Sequence, residues 1–216
     1  MRINANAASE PLSLEEEYAM QRSWREDGDK LTFIICLPLP DEEAGKERIR
    51  SGEFDAGDRM VGDVNLFMSE IESDEDEGDD EARKGGGGGL VGELEIMIPF
   101  PAHQRKGYAR TALQIFMHYI LTHWPELAAE FAASTEEVKG EGGRKLEYLR
   151  VKIGKGNEAS LKLFAGLGFE RHGEVNYFGE VEMRWRPDLQ QLRAGTGYEA
   201  AREMTYDDGK EIETES

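Results

Sequence analysis

Residues Leu90 to Ala109 read LVGELEIMIPFPAHQRKGYA. Leu94, Ile96 and Ile98 alternate with Glu93, Glu95 and Met97, the period-two pattern of a strand with one face buried. Pro99 and Pro101 end that strand, because proline has no N–H to give to a ladder. The basic turn Gln104-Arg105-Lys106-Gly107-Tyr108-Ala109 then leads into TALQIFMHYILTHW, where Ala112, Ile115, Phe116, Tyr119 and Ile120 recur at helical spacing. Unpaired N–H groups and the positive end of a helix dipole both point out of such a turn, so the stretch predicts an anion site.

Working outward, Ser13 and Glu16 have capping-box spacing and open a helix with a stripe of Leu14, Tyr18, Gln21 and Trp24, joined by Met20. Strands are expected at Lys30 to Leu37 and Val61 to Met68, with a polar loop from Asp41 to Asp58 between them. On the other side, the central helix at Tyr108 to Trp124 is followed by a strand at Tyr148 to Ile153 and a short helix at Glu158 to Leu167, which stops at Gly168. Two last strands, Glu170 to Val175 and Glu180 to Trp185, form an antiparallel edge. Residues 9–187 are thus expected to be one domain. Within it we expect a disordered acidic and glycine-rich insertion at 70–89 and a loop insertion at 126–147, the stretch from Pro125 being partly helical at its start, and after it an acidic disordered tail at 188–216. The five glycines at 85–89 are followed by no Gly-Lys-Ser/Thr and no helix start, which favours a linker over a phosphate loop.

The formal net charge of −19 is concentrated. Nine acidic residues and no basic one lie between Glu70 and Glu81, and seven acidic against two basic between Gly197 and Ser216, leaving the body near −5. A body without clustered Lys and Arg disfavours nucleic acid as a partner. The lone Cys36, flanked by Phe33 to Ile35 and Leu37, fits a reducing compartment and a buried strand position. FIICLPLP is too short and proline-broken to span a bilayer, and the first residues carry no apolar signal region, so no membrane partner is expected and the chain reads as cytoplasmic or nucleocytoplasmic. The four histidines show no metal-ligand spacing, and no metal is expected.

Gln104, Gly107 and Ala109 match the Gln/Arg-x-x-Gly-x-Gly/Ala loop of the Gcn5-related N-acetyltransferase (GNAT) superfamily, and Asn157, Ser160, Leu163, Phe164, Gly168 and Phe169 match its second pattern. The runs SEPLSLEEEYAMQRSW, VGDVNLF, GELEIMI and KIGKGNEAS further resemble the N-acetyltransferase 9-like family. The resemblance implies an α/β GNAT fold: a mixed, mostly antiparallel sheet with helices on both faces. It also implies an N-terminally incomplete domain, since family members carry a first strand and helix ahead of the SEPL block. It implies acetyl transfer from acetyl-CoA to the N-terminal amine of a protein, tubulin being the substrate associated with the family. The backbone of Ile96, Met97 and Ile98 would hold the pantetheine arm, and the amides of Arg105, Lys106, Gly107, Tyr108 and Ala109, with Gln104, the pyrophosphate. Asn157 would bind the CoA by family position; as a plain turn residue it would instead favour a left-handed conformation after Gly156. The charges of Arg105 and Lys106 fit either phosphate binding or a solvated basic turn.

Glu93 stands fourteen residues before Gly107, the offset of the general-base glutamate in histone-acetylating members, and Glu95 shares its face. Paired carboxylates raise one another's pKa, as a base near neutrality requires, although both could simply face solvent. At pH 7 an α-amine of pKa about 8 is roughly 10% neutral and a lysine at about 10.4 only about 0.04%. A weakly positioned base therefore suffices for an N-terminal amine and not for lysine. The superfamily's usual acid is a tyrosine at the position of Phe164, which cannot donate; Tyr177 is the substitute candidate, and release of the thiolate to solvent the alternative. The rival functions are a non-catalytic CoA-binding or protein-interaction member of the fold, and a small-molecule amine acetyltransferase.

Overall fold

The computed structural model describes residues 12–43, 45–71, 89–135 and 143–207. A six-stranded sheet organises them, built from β1 (Lys30–Cys36), β3 (Met60–Glu70), β4 (Leu90–Met97), β5 (Leu146–Gly154), β7 (Glu180–Trp185) and β6 (Glu170–His172), in that spatial order. All neighbours are antiparallel except β4 and β5. Alternation decides the faces. Val64, Leu66, Leu94, Leu149, Val151, Val181, Met183 and Trp185 turn inward and join one core with Phe116, Met117 and Ile120 of α2 (Tyr108–Thr122) and Phe164 of α4 (Glu158–Ala165). Asp63, Asn65, Glu93, Glu95, Arg150 and Lys152 fall on the intervening positions and turn to the opposite face.

The parallel pair sets the position of the site. Leu90 pairs with Leu146, Val91 with Tyr148, Gly92 with Leu149 and Glu93 with Arg150, and there the pairing stops. β4 stays with β3 as far as the Asp63–Met97 pair, and β5 stays with β7 as far as Gly154–Glu180. Beyond Glu93 and Arg150 the facing edges of β4 and β5 therefore separate and expose main-chain groups that no strand partners.

Three stretches depart from the sequence reading. The insertion expected at 126–147 has the helical start foreseen for it but carries it further, as α3 (Trp124–Ser134), which buries Leu127, Ala128 and Phe131; residues 136–142 lie outside the described residues, as do 72–88 of the acidic and glycine-rich stretch. The tail expected at 188–216 is structured as far as Asp207: α5 (Leu189–Ala194) starts on an Asp188 cap and buries Leu192, and β8 (Thr205–Asp207) pairs in parallel with β2 (Arg48–Arg50). Acidic composition hid these elements, because a single buried leucine per turn and a few backbone bonds suffice to dock a short segment onto an existing core. β2 likewise falls inside the polar loop expected at 41–58, and it forms because β8 supplies its partner. In α1 (Leu14–Glu26) the capping box between Ser13 and Glu16 is present, but the apolar stripe is not buried: Leu14, Tyr18 and Trp24 are all exposed.

Candidate active site

The turn after β4 is built by its own residues. A 3-10 turn over Pro101–His103 carries the chain away from the strand, and the Gln104 side-chain amide donates to the Ile98 carbonyl at 2.8 Å, tying the turn to the strand end. Gln104 thus shapes the loop through its own backbone neighbour. Arg105 (φ 60°) and Gly107 (φ 91°) both adopt the left-handed region, which is uncommon for a side-chain-bearing residue. A Cβ added at Gly107 meets nothing within 4 Å, so the dihedral rather than crowding demands glycine, and the space over the turn is open. Gly107 is the N-cap of α2 and offers no side-chain acceptor, and the first intrahelical bond runs from Thr111 N–H to its carbonyl at 3.1 Å. The N–H groups of Tyr108, Ala109 and Arg110 precede that bond and are available to an anion. Arg105 and Lys106 are exposed beside them.

The second component lies on the polar face where β4 and β5 part. Glu93 accepts from Arg150 Nε at 2.9 Å and pairs with Lys152 Nζ at 3.1 Å. Glu95 sits opposite Asn65 in the β3–β4 register. Partial loss of hydration against the sheet raises the Glu95 pKa, and the negative charges of Glu93 and then Asp63 add to the rise. The two glutamates therefore share a face, as expected, but differ in state: Glu93 is held by two cations, and Glu95 carries the elevated proton affinity. Sequence reading missed Asp63, Asn65, Arg150 and Lys152. Their signal was the period-two polar alternation in VGDVNLF and LRVK, which acquires meaning only once the register is known.

The remaining candidates do not join this cluster. Asn157 (φ −85°) is not left-handed; it is the N-cap of α4, and its side-chain oxygen accepts from Ser160 N–H at 3.1 Å. Tyr177, the substitute acid, lies at the tip of the β6–β7 hairpin, 97% exposed, with its ring against Phe178. Asn176 fixes that tip by accepting from the N–H groups of Phe178 and Glu180, which points the two aromatics outward instead of back to the sheet. Phe164 is buried against Phe169 with ring centroids 5.1 Å apart, so it is a core residue. His118 contacts Tyr198 and His123 contacts Glu203. Among the described residues no group of His, Cys, Asp and Glu could hold a metal ion, and no helix is long and apolar enough to cross a membrane. A cleft of about 560 Å³ between α4 and the β6–β7 edge, lined by Lys155, Leu161, Phe169 and Met183, contains none of the expected site residues.

A strand that separates from its parallel neighbour thus feeds a left-handed helix start without a side-chain cap, leaving main-chain groups open at both. The model of the acetyltransferase (GNAT) domain matches residues 1–170. An N-acetyltransferase 9-like protein of Schizosaccharomyces pombe is 37% identical over 184 residues, covering 81% of this chain and 78% of that one. The chain belongs to the N-acetyltransferase 9-like family. A Dictyostelium discoideum member is 32% identical over 182 residues, covering 83% and 69% of the two chains. Human alpha/beta-tubulin-N-acetyltransferase 9 is 35% identical over 177 residues, covering 82% and 65%. As an N-acetyltransferase 9-like protein of the GNAT fold, the chain is an acetyltransferase, and its separated strands and glycine turn lie within the matched region.

Proposed function

We propose that the protein transfers the acetyl group of acetyl-CoA to the N-terminal α-amine of a protein, with tubulin the first acceptor to test. The observation that carries the reading is the end of β4–β5 pairing at Glu93 and Arg150, directly beside Glu95 and leading to the open turn at Gly107. Main-chain groups of Ile96 and Met97 would hold the pantetheine arm, and the N–H groups of Tyr108, Ala109 and Arg110 the pyrophosphate, with Arg105 and Lys106 adding charge. Acetyl-CoA supplies an activated acyl carbon; the work of the chain is to align it, to accept a proton and to polarise the carbonyl with strand N–H groups.

Glu95 is the proton acceptor in this scheme. The neutral amine attacks the thioester carbon: a C–N bond forms, the nitrogen passes one proton to Glu95 directly or through one water, the C–S bond breaks and the thiolate leaves to solvent. A thiol of pKa about 8.5 is a tolerable leaving group without an acid, which agrees with a buried Phe164 and an outward Tyr177. The weak demand of an α-amine matches a single, partly hydrated carboxylate. The names of the human and mouse relatives supply tubulin as the candidate acceptor. The test is acetylation of peptides bearing the α- and β-tubulin N-termini, with spermidine and a lysine-bearing, N-terminally blocked peptide as competitors. Preference for the free N-terminus by about 10-fold or more supports the reading, and equal or better use of spermidine overturns it.

A further inference from the structure

Three carboxylates converge on the polar face next to the β4–β5 opening, and each has a different set of donors. Glu93 has Arg150 and Lys152. Asp63 accepts from the Asn65 side-chain N–H at 2.8 Å. The Asn65 oxygen in turn accepts from the Thr32 hydroxyl at 2.6 Å, and Thr32, Asn65 and Glu95 are consecutive partners across β1, β3 and β4. No side chain among the described residues donates a hydrogen bond to Glu95. Like charges this close disfavour one another's ionised form, most where no donor offsets the repulsion. The one without donors is left to take a proton.

We infer that Asp63, fixed by the chain from Thr32 through Asn65, is a positioning residue that makes Glu95 the proton acceptor of the reaction. This rests on the reading of Glu95 as base. Asp63 sits diagonally across the β3–β4 ladder from Glu95, roughly 7–8 Å away by strand geometry. At that range it works in two ways. Its charge disfavours a second anion at Glu95, so a proton arriving there is held, and it draws a protonated amine toward the same spot. Other charges facing Glu95 come from Glu93 on its own strand, and from Arg150 and Lys152 on β5, which are engaged with Glu93. On β1 the facing residue is the neutral Thr32. Asp63 is thus the fixed anion on the β3 side whose neutralisation leaves the others in place.

The chain also explains a polar residue that strand propensity would not choose. Asn is depleted in strands, yet Asn65 occupies the middle of β3, where its amide can accept from Thr32 and donate to Asp63 at once. A threonine hydroxyl donating to its oxygen fixes which end of the amide faces Asp63.

The experiment measures kcat/KM against pH with an N-terminal peptide acceptor, together with acetyl-CoA affinity, for the parent and for Glu95→Gln, Asp63→Asn, Asp63→Glu and Thr32→Val. Glu95→Gln is expected to abolish the acid limb that Glu95 contributes to the profile, leaving the separate step of the acceptor amine at about pH 8. Asp63→Asn should move the limb down by roughly 0.5 to 1 pH unit, because removing a like charge lets Glu95 ionise more easily, and should raise the acceptor KM. Asp63→Glu, which keeps the charge, should return the limb toward the parent position. Thr32→Val should shift it in the same direction as Asp63→Asn but by less. Unchanged acetyl-CoA affinity in each variant shows that the fold survives, a readout a merely structural role would move. If Glu95→Gln loses the limb while Asp63→Asn leaves it where the parent has it, the role given to Asp63 is wrong and the base assignment stands. A limb below that of the acceptor amine that persists in Glu95→Gln overturns both.

Discussion

The glycine turn and the carboxylate face are made in opposite ways. The turn uses contiguous residues: Gln104 reaches back six positions to Ile98, Gly107 supplies the left-handed dihedral, and Tyr108 to Arg110 present the amides. The face draws Thr32, Asp63, Asn65, Glu93, Glu95, Arg150 and Lys152 from four strands, and only the sheet register brings them together. The first is a local device whose chemistry is written in its own letters. The second is a tertiary device, where a residue's meaning depends on what stands opposite. If the two are as separate as they look, each can be broken without the other.

The largest effect should come from filling the turn. Gly107→Trp places a side chain in the left-handed region and in the open space over the helix start, and we expect acetyl-CoA affinity to fall by at least about 100-fold; strain contributes about 1–2 kcal/mol of that. Calorimetric titration measures it. The melting temperature should fall by only a few degrees, the share of the dihedral strain, because a Cβ at Gly107 meets no neighbour. Gly107→Ala, which brings the strain without the bulk, should cost only about 10-fold.

Next in size is Glu95→Gln, expected to lower kcat by roughly 100-fold, the lower range for loss of a general base, with acetyl-CoA affinity unchanged. A single-turnover assay with bound acetyl-CoA separates this chemical defect from a binding one. Should Glu93→Gln instead give the larger loss, the roles on the face are reversed, and the paired cations at Glu93 would be part of the catalytic arrangement.

How much of this could be read from the sequence follows from the same contrast. The loop at 104–109, the alternation of β4 and the helix that follows were legible because strand period, proline stops and a glycine turn are local signals. Glu93 and Glu95 were legible as a pair, but not their division of labour, which needs Arg150 and Lys152 from β5 and Asp63 from β3. Tyr177 was misplaced because nearness in sequence to the last strand says nothing about which way a hairpin tip points. α5 and β8 were hidden for a related reason: Leu192 and the β2–β8 pairing are stabilised by partners more than 70 residues away, on α2 and the β1–β3 connection, so their local composition reads as tail.

A third prediction tests whether register is what holds the face. Gly62 lies in β3 just ahead of Asp63, and a Cβ there would come within 2.0 Å of the Met97 carbonyl oxygen, with the Ile98 side chain also close. The obstacle is backbone, so the strands must shift to admit even one methyl. Gly62→Ala should cost about 2 kcal/mol of stability, in the range of overpacking, as measured by urea unfolding. The shift also displaces Asp63 relative to Glu95, so the activity remaining in the folded fraction should fall while acetyl-CoA still binds. An alanine variant as stable and active as the parent would mean that β3 and β4 lie further apart than described.

The smallest effect concerns stability alone, and its sign is opposite to that of the activity loss. Glu95 has its pKa raised by partial dehydration, then by Glu93 and Asp63, so the folded chain binds that proton more tightly than the unfolded chain, where a glutamate titrates near 4.3. Its contribution to stability is therefore fully present below about pH 4 and is lost as pH rises through the raised folded value. At pH 8 the ionised carboxylate is a burden that Gln does not carry. Glu95→Gln should then melt about 1 °C above the parent at pH 8, a small gain because the group is largely hydrated, and the gap should close near pH 4, where both side chains are neutral. Scanning calorimetry at the two pH values decides it. A variant that is both slower and more stable at pH 8 is what an uncompensated base on an otherwise paired face requires, whereas a variant less stable at pH 8 would show that the charge of Glu95 is satisfied and that its proton affinity is ordinary.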